Sequence, residues 1–520
     1  MRYDDTVTYD APTARVRSSF GVPVHRSGLL LSVAIASVAV ALLVVHLLLG
    51  VNRRAEHGPV RVAVWIDARH PGAPVPQRFL GLSFELSSLS QIARYADSGN
   101  LATLLRSLGP GVLRFGGASA DTQAAWTDPV TPRPAWASVV LEIGELRKLR
   151  KLAARSGWRV LLTIGLIHYD PRAAAREARA AKAALGPWLA GIEVGNEPNT
   201  YARHHFRPLP WTYSQYDAQV ASYRRAIARV APGIPFAGPD VSGSNAFARW
   251  GPSEAIKEKP ALLTGHHYPL GCHDTPAPTI ARLLSGRVRR LERNSLASYM
   301  SVSRASAIPL RLDETNTVSC GGKVGISNTF ASALWAVDYI TQTMVGDAAG
   351  INLQGNPANC RGYSPLCATT PARLARGALS AQPEWYALLL TKALIGDRPL
   401  RTTVASPERP NVAVMTLLAD DGSLHFVIVD DDPPGASAAA VSLRVGRTFR
   451  SARILPLTAP SPGASSGIEL GGRAVARDGS WREPTRLRQI AAQGGVIALT
   501  VPPSSAALVT VTPAHGSVGH

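Results

Sequence analysis

The ten residues AGIEVGNEPN (190–199) join a short apolar run to a glycine and then to a glutamate set between asparagine and proline. The apolar half has the length and branched side chains of a buried strand, and Gly195 and Pro198 end it. A buried strand that turns polar as it leaves the sheet is the pattern of a parallel α/β fold, where functional groups collect in the loops after the strands. The same cadence recurs on both sides. Before the run come LGLSFE (80–85), VLRFGG (112–117) and RVLLTIG (159–165); after it come IPFAGPD (234–240), LLTGHHY (262–268), IPLRLDE (308–314) and GINLQGN (350–356). Between them lie stretches of helical periodicity such as 141–157, 216–232 and 326–344. Strand-like runs recurring roughly every 40 residues and alternating with helices predict an α/β chain with a (β/α)8 TIM barrel over 79–395. A doubly wound sheet would call for a Gly-x-Gly-x-x-Gly turn after its first strand, and none follows Leu80–Glu85.

From residue 396 the pattern changes to alternation of period two. VAVMTLLADDGSLHFVIVDDD (412–432) reads as two strands around an Asp-Asp-Gly turn, and four more strand-like runs follow between Pro, Gly and Ser clusters. A C-terminal β-sandwich domain and tail are expected over 396–520. Residues 52–78 read as a linker, and its strand VRVAVWID (60–67) is expected to join that β domain.

Gly28–Val51 carries no formal charge, is long enough to span a bilayer and lacks a small-residue cleavage exit. It predicts one N-terminal transmembrane signal anchor (28–51) behind a cytoplasmic tail (1–27), with the catalytic part of a single-pass cell-membrane protein on the extracytoplasmic side. The four cysteines, Cys272, Cys320, Cys360 and Cys367, allow three disulfide pairings; Cys272–Cys320 and Cys360–Cys367 are favoured, and a reduced set stays open. Of 520 residues 46% are hydrophobic and 18% charged, and 55 basic against 36 acidic side chains leave a net charge of +19. That excess suits an anionic partner or is spread over a solvated surface. No Walker loop, zinc-knuckle spacing or aromatic-basic patch points to nucleic acid.

The strand ends decide the chemistry. The fourth strand ends in Asn196-Glu197 and the seventh in Asp313-Glu314, so two glutamates face one pocket. Glycoside hydrolysis needs such a pair: one carboxylic acid protonates the leaving oxygen and one carboxylate attacks carbon or activates water. His266 and His267 are adjacent in a strand and point to opposite faces, so they do not chelate one metal, and no cofactor is expected.

These segments resemble glycoside hydrolase family 79, the microbial β-glucuronidases and heparanases. The likeness is carried by LRFGGASADT (113–122), IEVGNEPN (192–199), HHYPLGC (266–272), RLDETNTVSCGG (311–322), GISNTFASALWAVD (325–338) and QPEWYALLLTKALIG (382–396). The resemblance implies a retaining hydrolase of β-linked uronic acids, with Glu197 as acid/base and Glu314 as nucleophile. It implies that Asn196 bonds the hydroxyl beside the anomeric carbon and that Tyr268 supports the nucleophile near the uronate. It further implies that the backbone amides of Gly321 and Gly322 face the sugar carboxylate. Family members often carry a tyrosine where Ser319 stands, a departure that bears on uronate specificity; Tyr363 either returns that phenol or lies in a surface loop. Ser119, Asp121 and Glu85 follow the first two strands and either line the pocket or bond along its rim, and Asp240 and Lys323 are weaker candidates. The anionic carbohydrate substrate is cut from chain ends or, as in heparanases, inside a polysaccharide. A neutral-sugar glycosidase and a non-catalytic glycan-binding protein are the alternatives.

Overall fold

Eight parallel strands wrap around one axis: Leu80–Glu85, Val112–Gly116, Arg159–Ile164, Leu189–Val194, Ala237–Ser242, Leu262–His267, Leu310–Thr315 and Gly350–Gly355. Each pairs with its sequence neighbour except the fourth with the fifth, and the eighth pairs with the first. They are buried almost throughout because helices cover the outer face, which is why they read as unbroken apolar runs. The computed structural model describes residues 58–446 and 449–513, which form one compact unit. The tail and anchor read at 1–27 and 28–51 lie outside the described residues, and no helix among the described residues is long and apolar enough to cross a membrane.

The barrel is nearly closed. Its weak seam lies between the fourth and fifth strands, which meet at a single bridge, Ile192 to Phe236, and the Ile192 N–H donates to the Pro235 carbonyl at 2.9 Å. The cause is local: Pro235 and Pro239 bring no N–H to the ladder. The fifth strand therefore begins at Ala237 rather than at Ile234, three residues later than its apolar pattern suggests.

The barrel interior is polar at both ends. At the amino-terminal end Arg311 donates to the Asn352 side chain at 2.7 Å and to the carbonyls of Arg78, Phe79 and Ala349, while Asn352 donates to the carbonyls of Leu82 and Val112. Gly350 and Gly81 are glycine for room: a β-carbon would meet the Arg311 guanidinium at 2.1 Å or the Asn352 side chain at 2.5 Å.

The β domain departs from a two-sheet sandwich. Its strands form one continuous ladder that curls around its own core of Val62, Val64, Phe426, Ile428, Val441 and Leu499. The strand Arg398–Ala405 makes the corner. Arg398–Leu400 pairs with Val412–Leu418, and Arg401–Ala405 pairs with Val60–Asp67. A strand that changes partner halfway joins what would otherwise be two layers. The early strand does join this domain, lying antiparallel to Arg398–Ala405 and parallel to Ala439–Arg444. Core residues run on from sheet to barrel, with Leu417, Val429 and Leu508 in the same apolar cluster as Trp385 and Leu388.

Candidate active site

The carboxyl ends of the strands gather around one side chain, Arg114, which is fully buried. Its Nε donates to Glu193 at 3.0 Å and lies 2.9 Å from Asp313, which sits off the N–H axis that Glu193 takes. Nη1 donates to Glu314 at 2.7 Å and to Ser83 at 3.2 Å, and Nη2 donates to Asp240 at 2.8 Å and to the Asn196 carbonyl at 3.0 Å. Burial opposes the charge, but the carboxylates outweigh it and hold the guanidinium pKa well above its ordinary value.

Adjacent residues in a regular strand point to opposite faces, yet both Asp313 and Glu314 reach Arg114. The seventh strand shifts register against both neighbours at this place, and such a bulge re-aims side chains beside a site. Asp240 reaches the cluster from a second register shift in the fifth strand, with its backbone at φ 57. The sixth strand is regular there. His266 points inward, while His267 points out to Ser295 at 3.2 Å.

His266 bridges the halves of the site. Nε2 lies 2.8 Å from Asp240 and Nδ1 3.0 Å from Glu197. Burial disfavours the imidazolium, but Glu314 and Asp240 reverse that and raise its pKa well above the ordinary value. Burial likewise opposes the Glu197 carboxylate, and the His266 hydrogen bond and charge override it, so the Glu197 pKa is lowered. Carboxyls outnumber the cations of the cluster, and burial pushes the Glu193 pKa to about 7 and raises that of Asp313.

Glu197 stands at the start of a single turn, Pro198–Thr200, in left-handed backbone at φ 48, pinned by its N–H on the Asp240 carbonyl at 2.9 Å. Glu314 is held from two sides, by Arg114 and by the Tyr268 hydroxyl at 2.9 Å. One carboxylate oxygen of each glutamate lies within 4.8 Å of the other and of His266. The Tyr268 hydroxyl lies 3.4 Å from that of Tyr363, and the Gly321 N–H donates to the Tyr363 hydroxyl at 3.2 Å. A cleft of about 640 Å3 borders this side, lined by Ser242, Asn245, His266, Tyr268 and Ser319.

Glu197, Glu314, Asn196, Tyr268 and Tyr363 thus converge. Because the Asn196 carbonyl is taken by Arg114, its amide NH2 is the group left to donate. Asp121 serves the scaffold instead: its carboxylate accepts from the N–H groups of Leu166, Ile167 and Asn196 and from the Tyr201 hydroxyl, tying the ends of the third and fourth strands together. Ser119 backs Glu85, donating its N–H to that carboxylate at 2.9 Å. Burial and neighbouring Glu314 raise the Glu85 pKa.

The glycine-rich turn runs through Cys320, Gly321 and Gly322 at φ 60, 88 and 87. Its amides are occupied within the protein, Gly321 by Tyr363 and Gly322 by the Ser319 carbonyl. Gly322 packs so closely on Tyr363 that a β-carbon would meet the Tyr363 nitrogen at 2.4 Å. Lys323 is exposed. Disulfides Cys272–Cys320 and Cys360–Cys367 brace the loops carrying these groups, with Cα separations of 6.0 and 5.4 Å.

Arg114, Glu193 and Asp313, together with the bridging part of His266, lie outside the sequence reading. The signal was present: an arginine inside the apolar run Val112–Gly116 needs buried anions. As a metal centre the cluster fits poorly, because Arg114 already supplies positive charge to Asp240, Asp313 and Glu314, and Cys272 and Cys320 are spent on each other.

No family model matches the chain. Among curated proteins, a β-glucuronidase of Aspergillus niger is 30% identical over 184 residues, 31% of this chain and 33% of that protein. A β-glucuronidase of Neurospora crassa is 25% identical over 310 residues, 55% of this chain and 47% of that protein. The chain therefore matches at most about half the length of these relatives. A solved 4-O-α-L-rhamnosyl-β-D-glucuronidase from Fusarium oxysporum superposes with a TM-score of 0.69 at 18% identity, covering 87% of this chain and 100% of that one, a likeness of fold. These relatives and this structural neighbour are glycoside hydrolases.

Proposed function

We propose that the protein is a retaining glycoside hydrolase that removes β-linked uronic acid. The observation that carries the proposal is the approach of one carboxylate oxygen of Glu197 to one of Glu314 within 4.8 Å, which supports the short spacing of double displacement over the wider gap that holds a water. Glu314, ion-paired to Arg114 and hydrogen-bonded by Tyr268, attacks the anomeric carbon as the glycosidic bond breaks. The leaving oxygen takes the proton shared across the 3.0 Å contact between His266 and Glu197. Once Glu314 is esterified its charge is gone, the pKa values of its neighbours fall, and Glu197 becomes the base that takes a proton from water. Asn196 donates to the hydroxyl beside the reacting carbon.

Uronate preference is supported by the names of the two curated relatives and by the phenol pair. Because the Gly321 N–H polarises the Tyr363 hydroxyl, that hydroxyl is the donor offered to a carboxylate, and the glycine amide acts through it. Two disulfides suit the extracytoplasmic side, where the 28–51 anchor would hold the enzyme. A panel of aryl β-glycosides tests the proposal, with proton NMR of the first-formed sugar. The expected result is the β anomer and at least ~10²-fold preference for the glucuronide over the glucoside. An α first product rules out retention, and equal rates on both sugars rule out the uronate pocket.

A further inference from the structure

A second cleft of about 890 Å3 lies between the outer face of the barrel and the β domain, away from the strand ends that carry the glutamates. One wall is the helix Gly286–Ser306, which presents Arg290, Arg293 and Arg304 to the cleft, and the loop before Val412 adds Arg409. Among the described residues none of these four arginines has a carboxylate at ion-pair distance, whereas Arg289, one position away, is locked onto Asp338 and Asp431. The three helix arginines fall on one stripe, with Ala297 and Met300 between them, and the stripe runs about 21 Å from Arg290 to Arg304. The opposite helix, Phe330–Val345, contributes Gln342, which is 7% exposed. Both polar atoms of its amide are buried without a hydrogen-bond partner, although Gln342 lines the cleft. A buried amide left unpaired is costly, and at the cleft wall a side-chain rotation would give it a partner on a bound ligand.

We propose that this cleft binds an anionic oligosaccharide chain outside the catalytic centre. Cations without a carboxylate partner, spread along about 21 Å with Arg304 also donating to the Gly346 carbonyl, suit charges repeated along a chain rather than one small anion. The Gln342 amide at the cleft wall, donor and acceptor at once, would pair with sugar hydroxyls on turning into the cleft, and the exposed Val345 and Val404 offer apolar surface for ring faces. The choice of a uronate chain as ligand rests on the function proposed above; the cleft and its unpaired groups do not. Such a site would hold a polymer on the enzyme between cuts.

The test uses the full chain carrying Glu314→Gln, so that nothing is consumed. Binding of a β-linked oligoglucuronate is measured by calorimetry against a neutral oligoglucan of equal length and against inorganic phosphate. Two binding events are expected for the oligoglucuronate, one of which weakens at least ~10-fold in the added triple variant Arg290→Ala, Arg293→Ala, Arg409→Ala. Gln342→Met should weaken the same event while leaving the unfolding temperature unchanged or raised, because an unpaired buried amide is replaced by an apolar group. With Glu314 intact, the triple variant should keep its kcat/KM on a small aryl glycoside. A single binding event, unaltered binding by the triple variant, equal binding of the neutral chain or displacement by phosphate would each overturn the proposal. Aryl glucuronide hydrolysis reads the catalytic proposal separately.

Discussion

Two buried arginines occupy the same barrel and live in opposite chemistries. Arg311, at the amino-terminal end, is held by an asparagine and by backbone carbonyls, and burial pulls its pKa down to about 10. Arg114, at the carboxyl end, is held by Glu193, Asp240, Asp313 and Glu314, which raise its pKa despite full burial. Neutral dipoles make Arg311 a plug that fills and ties the barrel floor. Anions make Arg114 the counter-charge for the carboxylates gathered in a dry pocket. The comparison teaches that a buried charge marks function by what neutralises it, not by its burial.

Exchanging each arginine for lysine should separate the two roles most strongly. Arg114→Lys keeps a charge but loses the planar fork, and kcat/KM should fall by about 10²–10³-fold in a protein that still folds. Arg311→Lys should lower the unfolding temperature by a few degrees and leave kcat/KM within a small factor. Equal activity losses in the two variants would erase the distinction.

The next effect is on pH dependence. With His266 present, the acid proton belongs to the Glu197–His266 pair, whose imidazole pKa is raised, so activity should persist to high pH. His266→Asn leaves Glu197 alone, and the basic limb of kcat/KM should move to lower pH. An unmoved limb would mean that Glu197 holds its proton without help.

Stability should also follow the buried acids. Burial raises Glu177, Glu254 and Glu384 from 4.5 to about 8, so the folded chain holds protons that the unfolded chain releases across that window. His266, raised as well, adds stability that is present below its ordinary value of 6.5 and lost as pH climbs through its folded value. Both contributions carry the same sign: the unfolding temperature should be highest near pH 5 and drop by several degrees toward pH 8. A rise over that range would contradict these environments. The smallest effect is expected at Tyr363→Phe, which removes the hydroxyl polarised by Gly321. It should reduce kcat/KM for an aryl β-glucuronide about 10-fold more than for the glucoside, the worth of one hydrogen bond to a charged group.

Much of this was legible in the chain. All eight barrel strands stand where apolar runs end in polar residues, since covered parallel strands must be apolar along their length. Glu197 and Glu314 could be named because the loops after the strands converge. Less legible was whatever depends on backbone irregularity. Regular alternation would turn Asp313 away from Glu314, and a bulge brings both inward. Pattern alone does not say that Asp121 binds amides rather than sugar, because the donors it accepts from lie 45 to 80 residues away in the chain. The curled β domain escaped for a similar reason: nothing in Arg398–Ala405 announces a strand that changes partner.

The central claim is that Glu314, paired with Arg114, is the atom-for-atom site of a covalent intermediate. A 2-fluoro β-glucuronyl fluoride slows breakdown of such an intermediate, so intact-mass and peptide analysis after brief incubation tests it directly. One added fluoroglucuronyl group on the peptide containing Glu314, absent from Glu314→Gln, is the predicted result. No adduct, or an adduct on any other residue, would contradict the account.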